Sequence, residues 1–175
     1  MKSLNFVFVL LVLVFFSVSC AQTSVPSTST QKGDLATKIA ASQLVWKKLK
    51  KQWNNHYQYV NTFTSGEGGF TSRTYVTVKN GKVMNAYRQM TTFKEGKKVT
   101  KAKEYLTGSQ LSKVKTLDEI YTFTANTVVK KSPKDHYITF KVFKNGLLSA
   151  AGYASKFCAD DCYRGYTLEK VSPIN

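Results

Sequence analysis

Between Leu35 and Trp53 the inward-type positions recur at helical spacing, with Leu35, Ile39, Ser42, Trp46, Leu49 and Trp53 separated by 4, 3, 4, 3 and 4 residues. Asp34 stands where a capping residue belongs, so the pattern predicts an amphipathic helix from about residue 34. At about 100° per residue, Lys47, Lys48 and Lys51 fall on the far side of the stripe. Lys50 sits at its border, where a long stem can lie along apolar surface. After Asn54-Asn55 the period changes to two. Strands are predicted over 57–63, 74–78 and 82–90. The last two flank Asn80-Gly81, suited to a type I′ turn because both central residues need positive φ. A turn at Glu95-Gly96 and a strand over 99–106 follow.

Thr116-Leu117-Asp118-Glu119 reads as a capping box that opens a second helix running to about Lys130. Its β-branched residues leave packing rather than propensity to hold it. Strands over 137–144 and 147–155 then flank a second pair, Asn145-Gly146, and 165–171 supplies the last strand. The order helix, strands, helix, strands predicts an α+β fold, with two helices on one face of a mostly antiparallel sheet. VKNGKVMNA near residue 80 echoes FKNGLLSAA near residue 145 at an offset of 65 residues, which suggests two helix-plus-hairpin repeats.

Ahead of this pattern, residues 1–21 read as a secretory signal: Lys2 is the positive start, Phe6 to Phe16 the apolar run, and Ser19-Cys20-Ala21 the cleavage region. The run is short of the roughly 20 apolar residues a membrane span needs. The leading expectation is a secreted, extracellular protein without a transmembrane segment. The alternative is a bacterial lipoprotein acylated at Cys20, against which stands Ser17, where a lipobox usually has Leu, Val or Ile. Residues 22–33 read as a flexible polar lead, and 34–175 as one α+β domain.

Charge changes the picture further. The chain has 26 Lys+Arg against 10 Asp+Glu, and the signal removes one lysine and no acid, leaving 25 minus 10, or +15. Solubility is served by a net charge of about 2 to 8, and a field of this size draws polyanions. The candidate contacts are Lys47, Lys48 and Lys51, in WKKLKK, and Lys97, Lys98, Lys101 and Lys103, in KEGKKVTKAK. Lysine outnumbers arginine by 23 to 3, and arginine is the residue that reads bases bidentately. Nucleic acid is therefore not the expected physiological partner.

The functional expectation is a non-enzymatic basic protein that binds polyanionic extracellular material, such as acidic or sulfated glycan, an anionic surface or a mineral-associated matrix. A secreted protein-binding or inhibitor-like module is the alternative, and a hydrolase a distant third. Cys158 and Cys162 are read as a disulfide, with free thiols or a metal or redox site as the other readings. Zinc would need four donors, and His56 and His136 read as rim residues with no nucleophile motif beside them. Asp160 and Asp161 read as turn-capping residues, with part of a calcium site, which would need six to eight oxygens, as the other reading. No metal or other cofactor is expected, and the sequence leaves the oligomeric state open.

Several of these segments together resemble a family of small secreted proteins and lipoproteins, mostly bacterial, catalogued as a domain of unknown function. The shared pattern is the helical Trp46 followed by Tyr57 and Tyr59; Val76, Val78, Asn80, Gly81, Lys82 and Val83 in the first hairpin; and Thr116, Asp118, Glu119, Ile120 and Tyr121 at the second helix. Asp160 and Asp161 before Tyr166 complete it. The resemblance covers residues 44 to 172. Ser65-Gly66-Glu67 stands where that family often has Cys-x-Cys, and its Y-D-P and G-Y-P segments are missing here. The resemblance confers no particular activity, since that family has none assigned.

Overall fold

The computed structural model describes residues 28–65, 69–94, 97–160 and 162–174. The signal reading with Cys20, the first part of the polar lead, the Glu95-Gly96 turn and Asp161 lie outside them. Among the described residues there are eight strands: β1 (Tyr57–Thr64), β2 (Phe70–Lys79), β3 (Lys82–Lys94), β4 (Lys97–Thr100), β5 (Glu104–Tyr105), β6 (His136–Val142), β7 (Leu148–Ser155) and β8 (Arg164–Pro173). They form one sheet, paired antiparallel throughout, in the order β4-β3-β2-β1-β8-β7-β6, with β5 also paired to β3. The helices are α1 (Thr28–Gln52), α2 (Gly108–Ser112) and α3 (Leu117–Phe123), the last continued by a π-helical turn at Thr124–Val128. The architecture is α+β, as the order of periods predicts. No helix among the described residues is long and apolar enough to cross a membrane.

Two meanders, β1-β2-β3 and β6-β7-β8, meet where β1 pairs with β8, setting Tyr57 opposite Pro173 and Tyr59 opposite Val171. The Asn80-Gly81 turn has positive φ at both residues, 50° and 73°, as a type I′ turn requires. The second hairpin differs, because only Gly146 is positive, at 83°. Phe143 N donates to Leu147 O at 2.8 Å, so three residues rather than two close that loop. Each hairpin carries a one-residue bulge, at Met84 and at Ser149, again 65 positions apart. Their wiring is not alike: β1 precedes its hairpin and pairs with the first arm, whereas β8 follows its hairpin and pairs with the second.

One face of the sheet holds the core. Ile39, Ser42 and Trp46 of α1 are buried, with Leu49 and Trp53 packed against them, matching the predicted stripe. The Trp46 ring stands edge-on to Tyr57 with centroids 4.9 Å apart, and its Nε1 donates to Asp118 at 3.2 Å. Lys50 reaches both oxygens of the same carboxylate, at 2.9 and 3.0 Å. Asp118 thus links α1 to the first turn of α3, where a negative charge also suits the helix dipole.

Three buried tyrosines fasten the helices to the sheet. Tyr57 OH accepts the Leu117 N–H at 2.9 Å, satisfying one of the free donors at the start of α3. Tyr59 OH donates to the Lys115 carbonyl. Tyr121 OH accepts from Leu148 N at 3.1 Å and donates to the Ser42 carbonyl at 3.1 Å, joining α3, β7 and α1. The capping box closes as predicted, with Glu119 N donating to Thr116 Oγ1 and Thr116 N donating to Glu119.

Local chemistry explains where the helices depart from expectation. α1 begins at Thr28, within the segment read as a polar lead, because Asp34 does not cap; it pairs instead with Lys38 one turn on, at 2.6 Å. The second helix is α-helical only to Phe123. There the buried Thr124 hydroxyl donates to Ile120 O at 2.8 Å, and Val129 N reaches five residues back to Thr124 O at 3.2 Å. A hydroxyl bonding back to the preceding turn competes with the regular helical ladder. The strand expected over 99–106 is divided into β4 and β5, and the strand expected from Thr74 starts at Phe70.

Burial raises the Tyr57, Tyr59 and Tyr121 phenols above the usual value, which is near 10. A folded-state value above the unfolded one leaves stability unaffected below about pH 10 and lowers it above, by about 1.4 kcal/mol per pH unit for each such tyrosine. Absorbance at 295 nm should therefore titrate in two stages. The late stage holds these three, with Tyr163 and Tyr166, which burial raises in the same direction, and it coincides with loss of the fold. Tyr57→Phe should remove one tyrosine from the late stage and cost about 1–3 kcal/mol by orphaning the Leu117 N–H.

Candidate functional site

The helices all contribute to the core face, and none among the described residues packs on the opposite, outer face of β1, β2 and β3. A transverse row of side chains crosses that face. Lys170 of β8 pairs with Val60 of β1, Val60 with Tyr75 of β2, Tyr75 with Tyr87 of β3, and Tyr87 with Tyr105 of β5. Four interstrand steps make the row roughly 19 Å long. The Tyr75 and Tyr87 rings are stacked, 4.6 Å between centroids and 10° from parallel. Tyr105 lies 5.8 Å beyond and is 65% exposed.

The Met84 bulge sets this alignment. A regular ladder running back from Asn80-Gly81 would put Tyr75 opposite Ala86. The bulge makes the partners Thr77 and Asn85, then Val76 and Ala86, then Tyr75 and Tyr87. It keeps Val83 and Ala86 on the core side while all three tyrosines face out.

Two cations stand along the row, Lys170 at its β8 end and Lys103 over the Tyr87 ring. Lys103 Nζ lies 4.7 Å from the Tyr87 centroid, within cation–π range. Lys170 lines a hollow of about 290 Å³ with Val60, Tyr75 and Tyr87. Beside the row, Arg73 Nε meets both oxygens of Glu169 at 2.8 and 3.0 Å. The guanidinium holds that carboxyl below the usual range, so this pair is internally neutralised. Neither Lys103 nor Lys170 has a carboxylate within 4.0 Å among the described residues.

The seven lysines singled out by sequence divide between the two sides of the sheet. Lys47, Lys48 and Lys51 are exposed on α1, in the helical layer, and point away from its buried stripe. Lys97, Lys98, Lys101 and Lys103 are exposed along the β4–β5 edge. Thr100 of β4 pairs with Thr91 of β3, which shares the parity of Tyr87. Strand alternation therefore puts Lys98 on the outer face and Lys97 on the other. None of the seven has a carboxylate partner among the described residues.

The other candidates resolve locally. Cys158 and Cys162 lie at disulfide-bonding distance in the exposed connection between β7 and β8, with Cα atoms 6.1 Å apart. His56 Nε2 shares a hydrogen bond with Asn80 Oδ1 at 2.9 Å, bracing the first hairpin. His136 packs edge-on to Tyr153 at 5.5 Å, and its Nδ1 has no hydrogen-bond partner. Among the described residues neither histidine is hydrogen-bonded to a hydroxyl or thiol, the contact that would activate a nucleophile. No group of three or more His, Cys, Asp or Glu among them could hold a metal ion.

The tyrosine row was missed by sequence reasoning. Tyr75 and Tyr87 were read as strand residues, and the signal available was their shared hairpin; the bulge that aligns them has no sequence mark. No protein family, characterised protein or solved structure matches the chain.

Protein purified without reductant should show no titratable thiol at Cys158 or Cys162. Opening this loop of about 5 residues by reduction should lower stability by about 2 kcal/mol. A free-thiol assay under denaturing conditions, together with urea melts before and after reduction, checks both.

Proposed function

We propose that the chain is a secreted, non-enzymatic basic protein that binds polyanionic extracellular material, an acidic or sulfated glycan above all, across the outer face of its sheet. The observation that carries this reading is the row Tyr75–Tyr87–Tyr105 with Lys103 over its middle ring and Lys170 at its β8 end, neither paired with a carboxylate among the described residues. Tyrosine offers a broad apolar face with a polar tip and few torsions to freeze on binding. Sugar rings present apolar C–H faces that lie flat on such rings, while Lys98, Lys103 and Lys170 meet the acidic substituents. Compact, mobile ammonium groups suit a ligand whose charges are irregularly spaced, whereas base reading calls for arginine forks.

Lys47, Lys48 and Lys51 form a separate patch in this account. They add to the long-range field that speeds encounter and do not line the contact surface. A strand edge also has its own use for Lys97 and Lys98, since charge there discourages pairing with another chain.

Retention on immobilised heparin tests the reading. Tyr75→Ala with Tyr87→Ala should weaken binding by about fivefold or more at constant net charge, the loss expected of aromatic anchors. Lys98→Gln, Lys103→Gln and Lys170→Gln together should weaken it and flatten its salt dependence, since counterion release scales with the contacts made. Lys47→Gln, Lys48→Gln and Lys51→Gln should have the smaller effect for the same charge removed. Equal losses from the two lysine triples, with the tyrosine variant unaffected, would reduce the binding to bulk charge.

A further inference from the structure

The core face holds a second, chemically different hollow. Along each central strand the inward residues change from apolar to polar: Tyr59 gives way to Asn61 on β1, Val76 to Thr74 on β2, and Leu168 to Tyr166 on β8. On β3 the change is from Ala86 to Arg88. Where the apolar packing stops, a cavity of about 340 Å³ opens between these strands and the segment from Leu106 to Lys115, which passes over it and contains α2. Its size falls at the lower end of the range for small-molecule sites, about 300–1,000 Å³.

The charges around this cavity are of one sign. Arg88 comes from the sheet, Lys113 and Lys115 from the covering segment, and no carboxylate lines it. Two of the three cations have an acid beside them, though neither acid lines the cavity. Glu104 is 4.0 Å from Arg88 and Glu119 is 3.0 Å from Lys115, whereas Lys113 has no carboxylate within 4.0 Å among the described residues. Lys113 thus brings a positive charge that no described carboxylate offsets, and low-dielectric walls focus its field on the cavity. The Tyr166 phenol also lines the cavity, and burial keeps it protonated and able to donate. Apolar wall is supplied by Val76, Leu106 and Val114.

We infer that this cavity binds a small organic anion, whose oxyanion group meets Lys113 and Arg88 and whose compact apolar body lies on Val76, Leu106 and Val114. The site is separate from the polymer-binding face, because its residues point to the other side of the sheet. A guanidinium fork and an ammonium recognise either a carboxylate or a phosphate ester, so the shared chemistry is an oxyanion on a small apolar body.

Fluorine NMR of the whole exported chain tests this with three probes of similar size: 4-fluorobenzoate, 4-fluorophenyl phosphate and uncharged 4-fluorobenzyl alcohol. At millimolar concentration one or both anions should shift or broaden on adding protein, and the alcohol should not. The tighter of the two anions identifies which oxyanion the site takes. Lys113→Gln should weaken the anion by about tenfold, the loss expected of one charge-assisted hydrogen bond. Arg88→Gln should weaken it at least as much, while Lys48→Gln leaves it unchanged. Binding should survive in the Tyr75→Ala, Tyr87→Ala protein, which separates this site from the heparin-binding reading. Circular dichroism of each variant shows that the fold is retained. Failure of both anions to shift, equal binding of the alcohol, or full binding by Lys113→Gln and Arg88→Gln would overturn the inference.

Discussion

The hydrogen bond from Leu117 N to the Tyr57 hydroxyl is the contact on which the arrangement turns. It forms where the first strand, the start of α3 and the Trp46 ring converge, and both partners are fully buried. An unmade bond there would leave a helix-start donor and a phenol without water, at a cost of about 1–3 kcal/mol for each group. Tyr59 and Tyr121 repeat the device, one through the Lys115 carbonyl and one between α1 and β7. Because each of these hydroxyls bonds to backbone, with Tyr121 also meeting the Ser42 hydroxyl at 2.8 Å, they fix where the helices sit along the sheet. Apolar packing alone holds two layers together but is tolerant of such sliding.

Placing every helix on one face determines what remains for binding. The outer face of β1, β2 and β3 carries no helix among the described residues, so a stacked tyrosine row there is not explained by packing against the helices. The same constraint produces the inner cavity. The covering segment is anchored by Leu106, Leu111 and Val114, but the central strands extend past the reach of the apolar core, and the space beyond is lined by polar and cationic groups. The two hollows thus lie on opposite sides of one sheet and differ in kind. One is a long, shallow aromatic platform, and the other a compact pocket with converging cations.

Much of the local structure was legible because its determinants are local. The α1 stripe, the Thr116–Glu119 box and the Asn80-Gly81 turn each depend on residues within a few positions of one another, and each formed as read. Asn145-Gly146 shows the limit of that logic: the same dipeptide closes a three-residue loop when its flanking residues pair one position further out. The bulges at Met84 and Ser149 were illegible, since a bulge reflects the two ladders that must be matched and no residue type requires one. The tyrosine row depends on the first of them. α2 has only five residues, too few to show a period. The lysine clusters were visible as composition, but strand order decides which side of the sheet each occupies, and that order closes only when β8 reaches β1.

The central claim is that polyanion contact is made by the outer face of the sheet and not by charge at large. Lysine acetylation footprinting of the purified protein, with and without a soluble heparin oligosaccharide, tests it most directly, because every lysine reports separately in a single experiment. The account predicts strong protection at Lys98, Lys103 and Lys170, with Lys47, Lys48 and Lys51 modified at nearly the same rate in both samples. Protection centred on Lys47, Lys48 and Lys51, or spread evenly over all exposed lysines, would contradict it.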